Sequence, residues 1–261
     1  NDILAEQVLN YKTTFGAHQL DFTGGYTFQK TKSTSLYTSG TGFDDESKQY
    51  RYLNNANTTQ PSESGYRATA LASLFMMANY NYNEKYLLSL IGRRDGSSML
   101  KENNRYRNYY SISGGWALKK EDFLSSVDWL NELKLRGSYG VLGGLARLNP
   151  LDVSPLLVRT TSYFGEKPTL QNGYAQNVLP NEDLRWAESK QTNIGLDLGI
   201  LNGLSLVADY FVKETNNMIL TRTLPGTAGL NTQTINGGLV KDKGFELGLT
   251  YSSAKNKEFS Y

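Results

Sequence analysis

Few residues in this chain are of a kind that does chemistry, and their spacing decides how each is read. Asp44-Asp45-Glu46 is a run of hard oxygens of the sort that holds Ca²⁺, but its polar setting reads as a solvated loop. Asp183 and Glu188 are carboxylates close enough in sequence for acid–base work, yet nothing beside them sets a hydrolase apart from background. Arg93-Arg94-Asp95 offers charge for holding a substrate or a gate; at the end of an apolar run it reads as a charge network on a rim. There is one histidine, His18, and no cysteine. That removes disulfides, thiolate metal sites and most Ser-His or metal catalysis. His18 stands beside a short turn and reads as a polar rim residue. Asn57-Thr58-Thr59 fits a glycosylation acceptor pattern and carries no further argument. The expectation is a protein that is not an enzyme and needs no metal or cofactor.

Binding residues are better sought in two long, polar connections. Segment 32–67 carries Tyr37, Phe43, Tyr50, Arg51 and Tyr52. Segment 142–187 carries Arg147, Arg159, Tyr163, Phe164, Tyr174 and Trp186. Aromatic rings stack on sugars and also pack on protein, so these are candidate contacts for cargo or partner without separating glycan from peptide. Many of them are equally suited to packing the loops together.

The elements that would position these loops announce themselves by period-2 alternation. In 191–200, Thr192, Ile194, Leu196, Leu198 and Ile200 oppose Gln191, Asn193, Gly195, Asp197 and Gly199. In 18–29, Leu20, Phe22, Tyr26 and Phe28 oppose Gln19, Asp21, Thr23, Thr27 and Gln29. The same reading predicts strands near 2–13, 18–30, 70–82, 86–96, 107–118, 132–141, 189–200, 204–215 and 239–252, with a tenth begun at 258–261. The facing of 86–96 is not fixed by the pattern. Connections alternate between tight (Asn83-Glu84, Leu201-Asn202-Gly203, Lys255-Asn256-Lys257) and long (Thr31 to Arg67, Leu142 to Ala187). Segment 119–131 is a medium connection in which Phe123, Val127 and Leu130 predict a short amphipathic turn on the rim.

An up-and-down sheet with all short turns at one end is what outer-membrane barrels show. Eighteen tyrosines in a chain with 25 glycines and six prolines suit long paired strands with aromatics at an apolar–polar boundary. No stretch approaches 18 apolar residues, so no transmembrane helix is expected. A net charge of +2 argues against nucleic acid. Asn1-Asp2-Ile3-Leu4 has neither a basic nor an apolar signal region; an exported protein needs one, so the true N-terminus is expected to be missing. Alternation alone also fits a soluble β-sandwich, including a carbohydrate-binding module. A non-transporting barrel, serving as adhesin or assembly scaffold, fits as well.

Several stretches, in order, resemble the SusC/RagA family of TonB-dependent outer-membrane transporters of Bacteroidota. They are 86–98 (YLLSLIGRRDGSS), 106–118 (YRNYYSISGGWAL), 133–140 (LKLRGSYG), 180–200 (PNEDLRWAESKQTNIGLDLGI), 204–225 and 238–249. The resemblance runs from about Leu9 to Tyr251, and its specificity lies in the combined order. Departures are Met99-Leu100 after Gly96-Ser97-Ser98, the stretch 140–150 (GVLGGLARLNP), and Ala187 before Glu188. The resemblance implies an all-β chain: part of a large antiparallel transmembrane barrel, about ten of an expected 22 strands around a plugged lumen. Its turns would be periplasmic and its long loops extracellular. It implies that residues 1–261 are barrel alone, with plug and N-terminal domains outside this chain. It further implies a SusD-like lipoprotein lid over the loops, TonB engaged through the missing N-terminal region, contact with outer-membrane lipid, and a glycan or peptide cargo.

Overall fold

The computed structural model describes residues 1–44, 47, 52–60, 62–146, 148–149, 152–154, 157–164, 169–176, 178–200 and 203–251. Nine long strands carry the fold: β1 (Asp2–Phe15), β2 (His18–Tyr37), β5 (Glu63–Tyr82), β6 (Tyr86–Ser97), β7 (Tyr106–Ala117), β8 (Leu130–Gly144), β12 (Ala187–Ile200), β13 (Leu204–Thr223) and β14 (Thr232–Tyr251). Short strands β3 (Gly40–Phe43), β4 (Ala56–Thr59), β9 (Leu157–Phe164), β10 (Thr169–Gln176) and β11 (Val178–Leu179) lie in the connections. Each long strand pairs antiparallel with the next, and β11 adds two parallel pairs to the outer edge of β14. The sheet is open: among the described residues, β1 has no neighbour on its outer edge.

The short turns have identifiable chemistry. Between β5 and β6, Asn83 and Glu84 both have positive φ, and the Lys85 amide donates to the Tyr82 carbonyl at 2.9 Å. This is the turn whose twist matches paired strands, at the cost of placing a glutamate in the left-handed region. Gly16, with φ of 61°, turns β1 into β2. The amphipathic turn in 119–131 is shorter than its spacing suggests: α1 is only Asp122–Ser125. Phe123 is exposed while Leu130 is buried, because the single turn cannot carry Phe123 round to the face of Leu130.

The two long connections are themselves hairpins. β2 continues to Tyr37 and β5 begins at Glu63, so the pair stays in register well past the expected limits, and β3 pairs with β4 beyond it. In the second connection β9 pairs with β10 through Tyr163↔Leu170 and Phe164↔Thr169. The stretch 258–261, expected to begin a tenth strand, lies outside the described residues.

Cross-strand register aligns the apolar phases of all nine strands. One row runs Leu20, Tyr80, Leu88; another runs Trp116, Leu135, Leu196, Ala208, Leu247. Leu20, Tyr80, Leu196 and Ala208 in these rows are half-buried, while Leu247 is 63% exposed and, on the same face, Ile194 is 62% and Leu249 68% exposed. Among the described residues no second sheet covers this face, which removes the β-sandwich. The buried core lies instead at the long-loop end, where Leu100, Tyr109, Val141, Leu148, Val153, Leu184, Trp186 and Ile219 pack together. An uncovered apolar belt with a core beyond one end is the burial pattern of a wall solvated by lipid.

Candidate functional site

The opposite phase of the same strands is polar. Its central row reads Lys12, Asp21, Asn79, Ser89, Ser113, Ser138 and Asn193. Lys12 meets Asp21 at 2.8 Å. Arg136 of β8 reaches across to Asp197 of β12, with Nε 3.0 and 2.9 Å from its two oxygens, and its Nη2 donates to Asp209 of β13 at 3.0 Å. Gly195 lies between Arg136 and Asp209 in a separate cross-strand row, where a Cβ would collide with Asp209 Oδ1 and the Arg136 guanidinium. The bare backbone thus lets three charges from three strands converge. This wall lines a concavity of about 600 Å³, with Gln19, Asn81 and Lys134 also at its surface. Paired charges and amide groups without a nucleophile–base pair suit a hydrated contact surface. Among the described residues no cluster of His, Cys, Asp or Glu is arranged to hold a metal ion.

The short-turn rim is an aromatic ladder tied to one carboxylate. Tyr82, Tyr86 and Trp116 stack on three successive strands with centroids 6.2 Å apart at each step. Glu121 accepts from Tyr86 Oη at 2.7 Å, Trp116 Nε1 at 3.0 Å and Lys85 Nζ at 3.1 Å. Donation from Trp116, then Tyr86, then Lys85 holds the Glu121 carboxyl below its ordinary value, and the bond to Glu121 raises the Lys85 ammonium. Glu84 is likewise lowered by its ion pair with Lys120. His18 is more than a lone polar residue: it stacks on Phe15 at 5.0 Å, lies 4.8 Å from the Tyr82 ring and hydrogen-bonds Tyr80 Oη through Nδ1 at 2.7 Å. No local pattern exposes this, because Tyr80 and Tyr82 come from β5, some sixty residues away in the chain.

At the long-loop end the run Arg93-Arg94-Asp95 is not one cluster. Strand alternation sends Arg93 and Asp95 to the polar face and Arg94 to the other. Arg93 Nε donates to Asp95 at 2.6 Å and its Nη2 to Ser73 Oγ at 3.0 Å. Arg94 lies over the Tyr106 ring at 5.2 Å from its centroid. Asp183 and Glu188 do not form a pair either: Glu188 is held by Arg107 at 2.6 Å and by Lys190 at 3.3 Å.

The loop candidates divide by exposure. Tyr37, Tyr52 and Tyr174 are open to solvent, at 65%, 65% and 72%. Phe43 is half-buried at the end of β3. Arg159 is exposed and donates to Asn172 Oδ1 across the β9–β10 hairpin at 2.7 Å. Trp186 is buried, edge-on to Tyr109 at 6.1 Å, with Nε1 donating to the Arg105 carbonyl at 3.1 Å. Tyr163 and Phe164 are paired backbone positions of β9. Tyr50, Arg51 and Arg147, like Asp45 and Glu46, lie outside the described residues.

One residue missed by the sequence reading organises this end. Asn236 Nδ2 donates to the carbonyls of Arg185 and Asn217, both at 2.8 Å, and its Oδ1 accepts from the Arg185 amide at 2.8 Å. Asn217 has φ of 53° and Gly238 of 79°; both are skipped in the β13–β14 register, making a paired irregularity. Asn236 thereby fastens the segment before β12 to the extension of β13 and β14. An asparagine in a Gly-rich stretch was the available signal.

Comparison with known proteins gives a consistent picture. The family model described as TonB dependent receptor-like, beta-barrel, matches residues 2–261. TonB-dependent receptor P3 of Formosa agariphila is 31% identical over 259 residues, covering 99% of this chain and 26% of its own length. TonB-dependent receptor SusC of Bacteroides thetaiotaomicron is 30% identical over 200 residues, covering 73% of this chain and 19% of its own. The chain thus spans about a quarter or less of these curated relatives. Among solved structures, the RagAB peptide importer superposes with a TM-score of 0.81 at 26% identity, over 98% of this chain and 28% of the other.

Proposed function

The chain belongs to the TonB-dependent receptor-like β-barrel family, placing it in the bacterial outer membrane, and from that premise we propose that it supplies wall and extracellular loops to a nutrient importer of the SusC/RagA kind. The two-faced sheet carries this reading. Its apolar phase displays large side chains such as Leu74, Met76, Ile194, Phe245, Leu247 and Leu249, and its polar phase lines a concave wall, the arrangement of a lipid-solvated barrel around a hydrated interior. A spanning sheet has no unpaired edges in lipid. In this reading the free edge of β1 and most of that of β14 are paired by further strands of the same barrel, and a plug fills the interior against the Lys12–Asp21 and Arg136 wall.

The long strands set the direction. β2, β5, β13 and β14 each have 20 residues, about twice what a tilted membrane strand needs. Their excess lies on the long-loop side and carries the loops away from the membrane. There Tyr37, Tyr52, Tyr174 and Arg159 face solvent, where a SusD-like lipoprotein lid and an oligosaccharide or oligopeptide cargo would meet them. TonB, acting on the plug, would supply the energy. The wall itself does no covalent chemistry.

The test is uptake by a strain lacking the gene, supplied with labelled oligopeptides or oligosaccharides, beside the same strain complemented with Tyr37, Tyr52 and Tyr174 changed to alanine. Loss of uptake of one cargo class in the deletion, and its weakening in the triple variant, is expected. Unchanged uptake of both classes in the deletion would overturn the importer reading.

A further inference from the structure

Charge is spread unevenly over the lipid-facing phase. Register places Lys30, Lys32, Arg94, Lys190, Lys241 and Lys243 in phase with the apolar residues. None lies inside the belt or at its short-turn border, where this face carries Tyr82, Tyr86 and Trp116. All stand where the belt ends toward the long loops. Lys30 is the next residue on its face after Phe28, Lys190 after Thr192, and Lys243 after Phe245. The carboxylates at this level on the same phase are Glu188 and Glu214. Glu188 is shared between Arg107 at 2.6 Å and Lys190 at 3.3 Å, and Glu214 stands between Lys190 and Lys241; six cations against these two carboxylates leave the border a surplus of positive charge.

The densest part spans three strands. Lys190, Glu214 and Lys241 are side by side in one cross-strand row, and Lys243 follows two residues below. With strands about 4.8 Å apart, the two outer lysines are separated by about 10 Å. Lys241 and Lys243 are exposed, and the side chain of Lys190 is 42% open. A lysine at such a border lays its methylene stem on the apolar belt and lifts its ammonium to headgroup level. A ligand with an acyl chain below and a phosphate above would satisfy both surfaces at once.

We infer that this collar binds the phosphate groups of anionic lipid in the leaflet on the long-loop side, with Lys190, Lys241 and Lys243 as its principal contacts. The inference rests on the outer-membrane wall proposed above. Each lysine near an anionic headgroup is worth about fivefold in binding, so losing three weakens it by at least tenfold.

The test uses the whole protein extracted from outer membranes, with K190Q/K241Q/K243Q beside the parent. K12Q/K134Q, on the polar wall, serves as control. Binding of lipid A is followed by native mass spectrometry in detergent, with phosphatidylethanolamine and inorganic phosphate as comparison probes. Lipid A binding at least tenfold weaker in the collar variant, unchanged in the control and restored by K190R/K241R/K243R, is expected. Equal binding by collar variant and parent, or an equal loss in the control, overturns the inference. So does inorganic phosphate bound as tightly as lipid A, which would mark a free-anion site. A protein absent from the membrane extract sinks the wall itself; one that extracts but ignores the collar sinks only this proposal.

Discussion

The two phases of the sheet should respond oppositely to the same introduced charge. Leu196 of β12 is aligned with Leu135, Ala208 and Leu247, and the lipid-facing run on its strand extends from Thr192 to Ile200. That run is about 23 Å tall at ~2.6 Å of depth per tilted residue, which puts Leu196 at its centre. Arginine on the lipid face at mid-depth costs about 2–4 kcal/mol, falling to about 0–1 near the interfaces. Leu196→Arg is therefore expected to lower the folded-to-unfolded ratio by roughly 30- to 800-fold. Ser113→Arg places the same side chain three rows away on the polar phase, beside Ser89 and Ser138. It stays hydrated there and should cost under about 1 kcal/mol. The assay is urea unfolding of the whole protein in lipid vesicles, read by tryptophan fluorescence. Equal destabilisation by both variants, or a greater loss for Ser113→Arg, would refute the facing assigned to the sheet.

Further expectations concern the fastenings of the wall. Asn236→Ala removes three hydrogen bonds and should cost about 1–3 kcal/mol, with hydrogen exchange in 181–187 rising more than in β6. Gly195→Val drives a side chain into the Arg136–Asp209 pair and should cost about 1–3 kcal/mol; vesicle-unfolding midpoints check both. Glu121 sits below its ordinary carboxylate value, so its contribution is present above that value and fades as pH falls through the depressed one. Glu121→Gln should flatten the acid limb of a stability–pH profile and leave the neutral region sloping as before; an acid limb of unchanged slope would count against the rim assignment.

How much of this was visible in the residues depends on the range of the interaction. Ile194, Leu196 and Leu198 declare their strand because alternation is a property of the backbone pleat, needing no partner. The facing of β6 was not visible, since Leu87, Leu88, Leu90 and Ile91 place apolar residues on both phases; only pairing with Tyr80 and Ile112 settles it. The run Arg93-Arg94-Asp95 was legible in part: Arg93 and Asp95 pair as a charge network, while the same pleat sends Arg94, adjacent in sequence, to the other face and the Tyr106 ring. The extensions of β2 to Tyr37 and β5 from Glu63 are polar and threonine- or serine-rich, and hold together by ladder bonds without an apolar phase. Loop aromatics were recognisable as a class, but whether a ring is displayed, like Tyr174, or consumed in packing, like Trp186, depends on Tyr109 and Arg105 arriving from another strand.

The most direct measurement exploits the absence of cysteine. Single cysteines introduced at each position from 191 to 199, in the whole protein in its native membrane, are treated with a water-soluble maleimide. Positions 192, 194, 196 and 198 should be protected and should instead react with a lipid-phase probe. Position 193, beside the hydrated wall, should label from water, and more readily than either neighbour wherever the interior admits the reagent. A period of two between lipid and water access is the expected result; uniform labelling from water along the whole of β12 would contradict the membrane wall.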